Sequence, residues 1–228
     1  MRLKVGCLIA AVSLVCAPVL PGLSLTDVDA NGGGLLIGTW PPSGYVEPNP
    51  AVSYVLGASL PLWLTPVFFL EPDIELWGTF YEWTGDGGVA VPTLYESAAS
   101  FYTVGILVSA QAGAAFPVSP AVSLGGALGL DLLFRFPVDP FNSVSASSQQ
   151  PALDWFFADG RFFYPETRLF LRWTMSPSIV FILNLRAFYP LFHAWDGAGQ
   201  PFLDQAMGAV DVGVGFRLGT KKSAVPSS

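Results

Sequence analysis

Residues 121–136 alternate strictly. Val122, Leu124, Gly126, Leu128, Leu130, Leu132, Phe134 and Phe136 share one side, while Ala121, Ser123, Gly125, Ala127, Gly129, Asp131, Leu133 and Arg135 share the other. Successive side chains of an extended strand point to opposite faces, so this period of two predicts a strand with one bulky apolar face and one small or charged face. The same beat returns along the chain. In 207–218, Val210, Val212, Val214, Phe216 and Leu218 oppose Asp211, Gly213, Gly215 and Arg217; in 163–174, Leu169, Leu171 and Trp173 oppose Glu166, Arg168, Arg172 and Thr174. In 179–190, Phe181, Leu183 and Leu185 oppose Asn184 and Arg186; in 99–113, Tyr102, Val104, Ile106 and Val108 oppose Thr103, Ser109 and Gln111. In 72–83, Ile74, Leu76 and Phe80 oppose Asp73, Glu75 and Thr79, and upstream Tyr54, Leu56, Ala58 and Leu60 oppose Ser53, Gly57 and Ser59. Residues 34–40 supply an eighth, weakly patterned strand.

Hydropathy by itself points elsewhere. Residues 51–70 and 97–130 carry no charge, the chain is 52% hydrophobic with a mean hydropathy of +0.51, and a window method reads such stretches as transmembrane helices. Pro61, Pro66, Pro117 and Pro120 interrupt them, and glycine recurs at Gly125, Gly126 and Gly129. The segment 207–218 is too short for a spanning helix, which needs about 20 residues. Only 12% of residues are charged, against about 25% in soluble domains, so the composition suits a membrane protein built from strands. The 228 residues fit one domain, and a net charge of −7 without a basic patch argues against a nucleic-acid partner.

Arg2 and Lys4, the apolar run 5–15, and the small residues Gly22 and Ser24 read as a secretory signal peptide over 1–24. Cys7 and Cys16 fall inside it, so the exported chain carries no disulfide, and the bulk of Val15 before Cys16 speaks against lipid attachment. Lysine is absent from residue 5 to residue 220, which is foreign to a soluble surface. Connections alternate in length: 41–50, 84–98, 137–162 and 191–206 are long, while 64–71, 114–120 and 175–178 are short. Outer-membrane barrels have short periplasmic turns and longer external loops. The expected organisation is therefore a periplasmic N-terminal segment 25–33, an all-β, up-and-down antiparallel transmembrane β-barrel of about eight strands over 34–218, and a periplasmic tail 219–228.

Alternation leaves open which face meets solvent, since a lipocalin-like soluble barrel alternates too. The outer surface of such a barrel would be rich in lysine and glutamate, whereas the polar face here is mostly Gly, Ser, Ala and Thr. Arg135, Arg168, Arg172, Arg186 and Arg217 all lie on that face. An arginine facing lipid at the midplane costs about 2–4 kcal/mol, and several together would rival the roughly 5–15 kcal/mol that holds a typical domain folded. The polar face must turn inward. Asp73, Glu75, Asp131, Glu166 and Asp211 share it, and the formal charges balance. Because arginine's planar fork pairs bidentately with carboxylates, two layers of lumenal salt bridges are expected. Arg135, Arg168, Arg186, Asp131, Glu166 and Asp211 fall in the outer half, with Arg172, Arg217, Asp73 and Glu75 nearer the periplasm. Trp40, Trp83, Phe134, Phe136 and Tyr189 at outer strand ends, and Trp63, Phe68, Phe69, Phe116, Trp173 and Phe216 at inner ones, fit interfacial girdles. Trp77 falls mid-strand, where no girdle lies.

With its signal segment, strand rhythm and closing run Val210-Asp211-Val212-Gly213-Val214-Gly215-Phe216, the chain resembles the small outer-membrane barrel families typified by OmpW and OmpX. The resemblance is one of pattern, and the tail from Arg217 to Ser228 departs from the aromatic terminus usual there. It implies a place in the bacterial outer membrane, with outer-membrane lipid and the barrel assembly machinery as partners. It also implies a narrow channel or binding barrel for small apolar solutes. Transfer of function on this basis is analogy of fold.

Chemistry is sparse. The single histidine, His193, sits in an expected external loop beside Ala194, Trp195 and Asp196, without the nucleophile and orienting partner that catalysis needs. No metal-ligand cluster, cofactor motif or phosphate loop appears; Gly32-Gly33-Gly34 precedes a strand. The expectation is a non-enzymatic protein, with an outer-leaflet lipid-modifying enzyme using His193 as the remote alternative. Trp155, Phe156 and Phe157 in the longest loop are candidate contact residues for a host surface molecule, which gives the competing expectation of an adhesin or structural envelope protein. Folding back over the barrel mouth is the alternative for the same three residues.

Overall fold

Each alternating segment forms a strand. The computed structural model describes residues 24–39, 51–84, 88–94, 100–138, 146–195 and 201–218. Residues 1–23 of the expected signal peptide, Trp40 and the tail from residue 219 lie outside the described residues. The strands are β1 (Asp27–Ile37), β2 (Ala51–Ser59), β3 (Phe68–Thr84), β4 (Ser100–Pro117), β5 (Val122–Val138), β6 (Phe163–Ser176), β7 (Ile179–Phe188) and β8 (Met207–Arg217). Every neighbour in sequence is an antiparallel neighbour in space, from β1–β2 through β7–β8. The ring closes where β8 pairs with β1, from Met207↔Ile37 to Arg217↔Asp27. Closure leaves no free sheet edge, the condition for a sheet to cross a membrane.

The pleat sorts side chains as the alternation predicts. Leu124, Leu128, Leu130, Leu132 and Phe136 of β5 stand outward and exposed, while Ala127, Gly129, Asp131, Leu133 and Arg135 are buried inside. Val210, Val212, Val214 and Phe216 of β8 likewise face out, and Asp211 is 1% exposed.

Three features depart from the sequence reading. The first strand is Asp27–Ile37, so most of the expected periplasmic segment 25–33 belongs to the barrel wall. The stretch Asp27-Val28-Asp29-Ala30-Asn31-Gly32-Gly33-Gly34 looks like a turn because acids and glycines dominate it. Paired against β8, its acids face the lumen, and a side chain at Gly33 would run into the main chain of Val210 and Asp211. Second, β3 begins at Phe68 rather than residue 72, which lifts Asp73 and Glu75 toward mid-barrel. Third, the long loops hold structure of their own: a short strand Val89–Thr93, a helix α1 (Ala146–Phe157) and 3₁₀ turns at Ala158–Gly160 and Leu191–Ala194.

The β2–β3 seam is irregular. Its upper ladder runs only from Val55↔Trp77 to Ser59↔Asp73. Above that point, Val89–Thr93 pairs with the outer end of β3, from Thr84↔Val89 to Phe80↔Thr93. On the outer half of β2, Ser53 Oγ donates to the Gly78 carbonyl, and the Tyr54 and Tyr102 hydroxyls meet at 3.1 Å.

Candidate functional site

The lumen divides along its axis. Its outer half is apolar: Leu35, Ile37, Val55, Trp77, Tyr81, Leu107, Leu133, Tyr164 and Phe188 from the wall form one cluster with Ala152, Trp155 and Phe156 of α1. Trp77, out of place for a girdle, belongs to this core and is 2% exposed. Below it lies an ionic layer, and below that a small aromatic floor of Phe69 and Phe170, with Trp63 against it. Phe69 therefore points inward, not into the girdle, because β3 starts earlier than its pattern indicates.

Arg186 of β7 centres the ionic layer. Its Nε donates to Glu166 Oε1 at 2.6 Å, its Nη1 binds Glu75, and Asp73 and Asp211 lie at 3.7 and 3.9 Å. Arg168 takes Glu71 in a bidentate fork, Nη1–Oε1 3.0 Å and Nη2–Oε2 2.5 Å, while Ser59 Oγ donates to the same carboxylate at 2.6 Å. Nearer the short-turn end, Arg172 spans Asp29 (2.7 Å) and Asp27 (2.9 Å). Asn31, Gln111 and Asn184 complete the layer by donating to Glu75, Glu166 and Asp211.

Of the charges expected in the lumen, Asp73, Glu75, Asp131, Arg135, Glu166, Arg168, Arg186 and Asp211 are buried, and the Arg172 side chain is 11% exposed. Arg217 is the exception. Its side chain is 42% exposed at the short-turn rim, where Nη2 donates to Thr174 Oγ1 at 3.0 Å. The expected sorting into two salt-bridge layers does not hold, because Arg186 joins Asp73 and Glu75 to Glu166 and Asp211. The balanced count fails as well, since Asp27, Asp29 and Glu71 add three carboxylates. The signal for Glu71 was its parity with Asp73 and Glu75; for Asp27 and Asp29 it was the alternation running through Asn31 into Gly33 and Leu35.

Little space remains. The cavity among Asp29, Asn31, Glu71, Arg168, Arg172 and Asn184 measures about 10 Å³, room for about one water molecule. A wider bowl of about 640 Å³ opens at the short-turn end between Trp63, Thr65, Ser123, Arg172 and Arg217.

At the outer mouth the chain folds back on itself. Phe156 is fully buried and meets Tyr81 edge-on at 5.0 Å, and Trp155 is 7% exposed. Neither is available as a contact residue. Phe157, the next residue, crosses the rim and packs outside the wall against Phe134 and Phe136, each at 6.3 Å. Arg135 pins this arrangement. Its Nη2 donates to the Arg161 carbonyl at 2.6 Å, its Nη1 to Gln205 Oε1 at 3.0 Å, and its guanidinium lies 4.4 Å from the Phe156 ring centre. One buried cation thus ties the α1 loop and the last external loop to β5. His193 is part of the same packing: Nε2 lies 3.0 Å from the Asp204 carbonyl, and its ring sits 4.4 Å from that of Phe192.

No protein-family model matches the sequence, and no curated protein does. Solved structures do match. Neisserial surface protein A aligns with a TM-score of 0.54 at 12% identity, over 86% of this chain and 99% of that one. The attachment invasion locus protein Ail of Yersinia pestis aligns at 0.45 and 14% identity, over 85% and 97%. The N-terminal β-barrel domain of Pseudomonas aeruginosa OprF aligns at 0.38 and 11%, over 85% and 98%. At such identities the likeness concerns the fold: a closed, eight-stranded antiparallel barrel that matches outer-membrane barrel structures.

Proposed function

We propose that this chain is a sealed barrel of the bacterial outer membrane that works through its external surface, as an adhesin or structural envelope protein, and performs no catalysis. The observation that carries this reading is the outer mouth, where Phe156 fills the lumen and Arg135 binds both covering loops. A solute moving along the axis would have to displace an aromatic core and then a layer of paired ions. Its partners on this reading are outer-membrane lipid around the wall and a host surface molecule at the loops, with the barrel assembly machinery acting during insertion. One structural neighbour bears the name of a surface protein. The test is planar-bilayer recording of refolded protein together with binding of purified protein to host cells. A silent bilayer and saturable binding support the reading, and steady conductance at low voltage would overturn it.

A second reading is favoured by the β2–β3 seam. There the outer ladder is replaced by Val89–Thr93 and by side-chain bonds from Ser53 and Tyr54, directly outside the apolar half of the lumen. A lateral route for small apolar solutes from that half into the membrane would use this seam. Liposomes carrying Ser53→Ala with Tyr54→Phe should then take up apolar solutes faster than wild-type liposomes; equal uptake removes the reading.

A further inference from the structure

Three adjacent strands present oxygen to one another at a single depth. Asp73 on β3 lies opposite Ser109 on β4, and Ser109 lies opposite Asp131 on β5. Opposed Cβ atoms on neighbouring strands are about 4.5–5.5 Å apart, so the three side chains form a row on the lumenal face. They are 6%, 4% and 0% exposed. Asp73 Oδ1, Ser109 Oγ and both carboxylate oxygens of Asp131 receive no hydrogen bond from a donor among the described residues, and the Asp131 carboxylate lies against that of Glu166. Gln111, the next lumenal residue of β4, gives its amide nitrogen to Glu166 and leaves its Oε1 in the same state. The nearby cations are committed: Arg168 to Glu71, and Arg186 to Glu75 and Glu166, with Asp73 and Asp211 beyond. Buried carboxylates without partners are strongly unfavourable, and here hydroxyl and amide oxygens stand unpaired beside them.

We propose that the row Asp73–Ser109–Asp131, with Gln111, binds a hard divalent cation, and that the ion is calcium. Calcium takes oxygen ligands of mixed type, carboxylate and neutral, in flexible geometry, whereas magnesium demands a near-ideal octahedron. An ion here offsets the carboxylate excess around Arg186 and cross-braces β3, β4 and β5. Because the row sits inside the closed ring, above the Arg168–Glu71 pair, the ion enters as the strands assemble and its effect is read on refolding.

The test refolds the barrel into detergent free of lipopolysaccharide with calcium, with magnesium, or with chelator. The readouts are the urea midpoint, metal per barrel by mass spectrometry, and tryptophan-sensitised terbium luminescence. One calcium ion per barrel, a calcium-dependent rise in the midpoint and terbium emission displaced by calcium are expected. Asp131→Asn and Ser109→Ala should each weaken calcium binding by roughly tenfold or more, and Asp154→Asn, on the exposed face of α1, should not. A midpoint indifferent to calcium and chelator overturns the proposal, as does Asp131→Asn protein in chelator matching wild type in calcium, for the row would then simply hold protons. Should Asp131→Asn fail to refold, the metal content of wild type and of Ser109→Ala decides.

Discussion

The two halves of the lumen close the same barrel by opposite means. The outer half excludes water with aromatic and aliphatic side chains and holds two guanidiniums: Arg161 lies over the Trp155 ring and pairs with Asp159, while Arg135 has a carbonyl and an amide as its hydrogen-bond acceptors. The lower half is filled with charge, and its three arginines Arg168, Arg172 and Arg186 each grip carboxylates. An apolar seal tolerates the loss of a polar contact by repacking. An ionic layer does not, because removing one partner strands its counter-charges in a medium that solvates them poorly. Mechanical failure should therefore start in the lower half and functional failure in the upper.

The sharpest break is Arg186→Met. Glu75, Glu166, Asp73 and Asp211 would keep their charges without the cation that joins them, and breaking a buried pair costs about 3–5 kcal/mol. Urea unfolding of refolded protein, followed by tryptophan fluorescence, should show a loss of this size or a failure to refold. A loss below about 1 kcal/mol would mean that the layer carries far less charge than its side chains allow.

Phe156→Ala comes next, at about 3 kcal/mol for a buried phenylalanine. The loss should be local. Limited proteolysis should cut within 146–162 while the strands stay protected, and bilayer conductance should stay low, because the ionic layer lies beneath. Conductance on a par with an open pore would show that the aromatic plug alone seals the axis.

Arg135→Met separates charge from shape in the outer half. Methionine fills much of the same volume and removes a buried charge that meets no carboxylate among the described residues, with the loss of two hydrogen bonds to neutral acceptors. The net change should be near 1 kcal/mol, well below that of Arg186→Met, with both external loops becoming more sensitive to protease. If only the α1 loop loosens, the bond to Gln205 contributes little.

Much of this contrast could be read from the chain. Period-two alternation located the strands and turned Arg135, Arg168 and Arg186 inward, because burial of charge away from lipid leaves no other face. What escaped was set by partners distant in sequence. Asp27 and Asp29 join the lumen only because β8 closes on β1. The depth of Asp73 and Glu75 depends on a strand end that no local signal marks. Folding back over the mouth stood as the alternative for Trp155, Phe156 and Phe157; what the chain did not mark is the helix that turns Phe156 in and Phe157 out, because it carries Pro151 in its interior, a residue that ordinarily argues against one.

The smallest expected effect tests whether the rim belongs to the ionic half at all. Arg217 follows Phe216 at the end of β8 and was placed in the lumen by parity, yet its side chain is 42% exposed and its Nε lies 3.8 Å from Asp27 Oδ1. Asp27 already receives Arg172 Nη2 at 2.9 Å, so the carboxylate keeps a cation when Arg217 is removed. Exposed pairs of this kind contribute about 0–1 kcal/mol and weaken with salt. Arg217→Met should therefore move the urea midpoint by less than the salt dependence of wild type, and Arg172→Met, one place further in and chelated by two aspartates, by several times more. Equal losses for the two variants would put the boundary of the buried ionic half at the membrane-water rim, one full layer lower than the geometry places it.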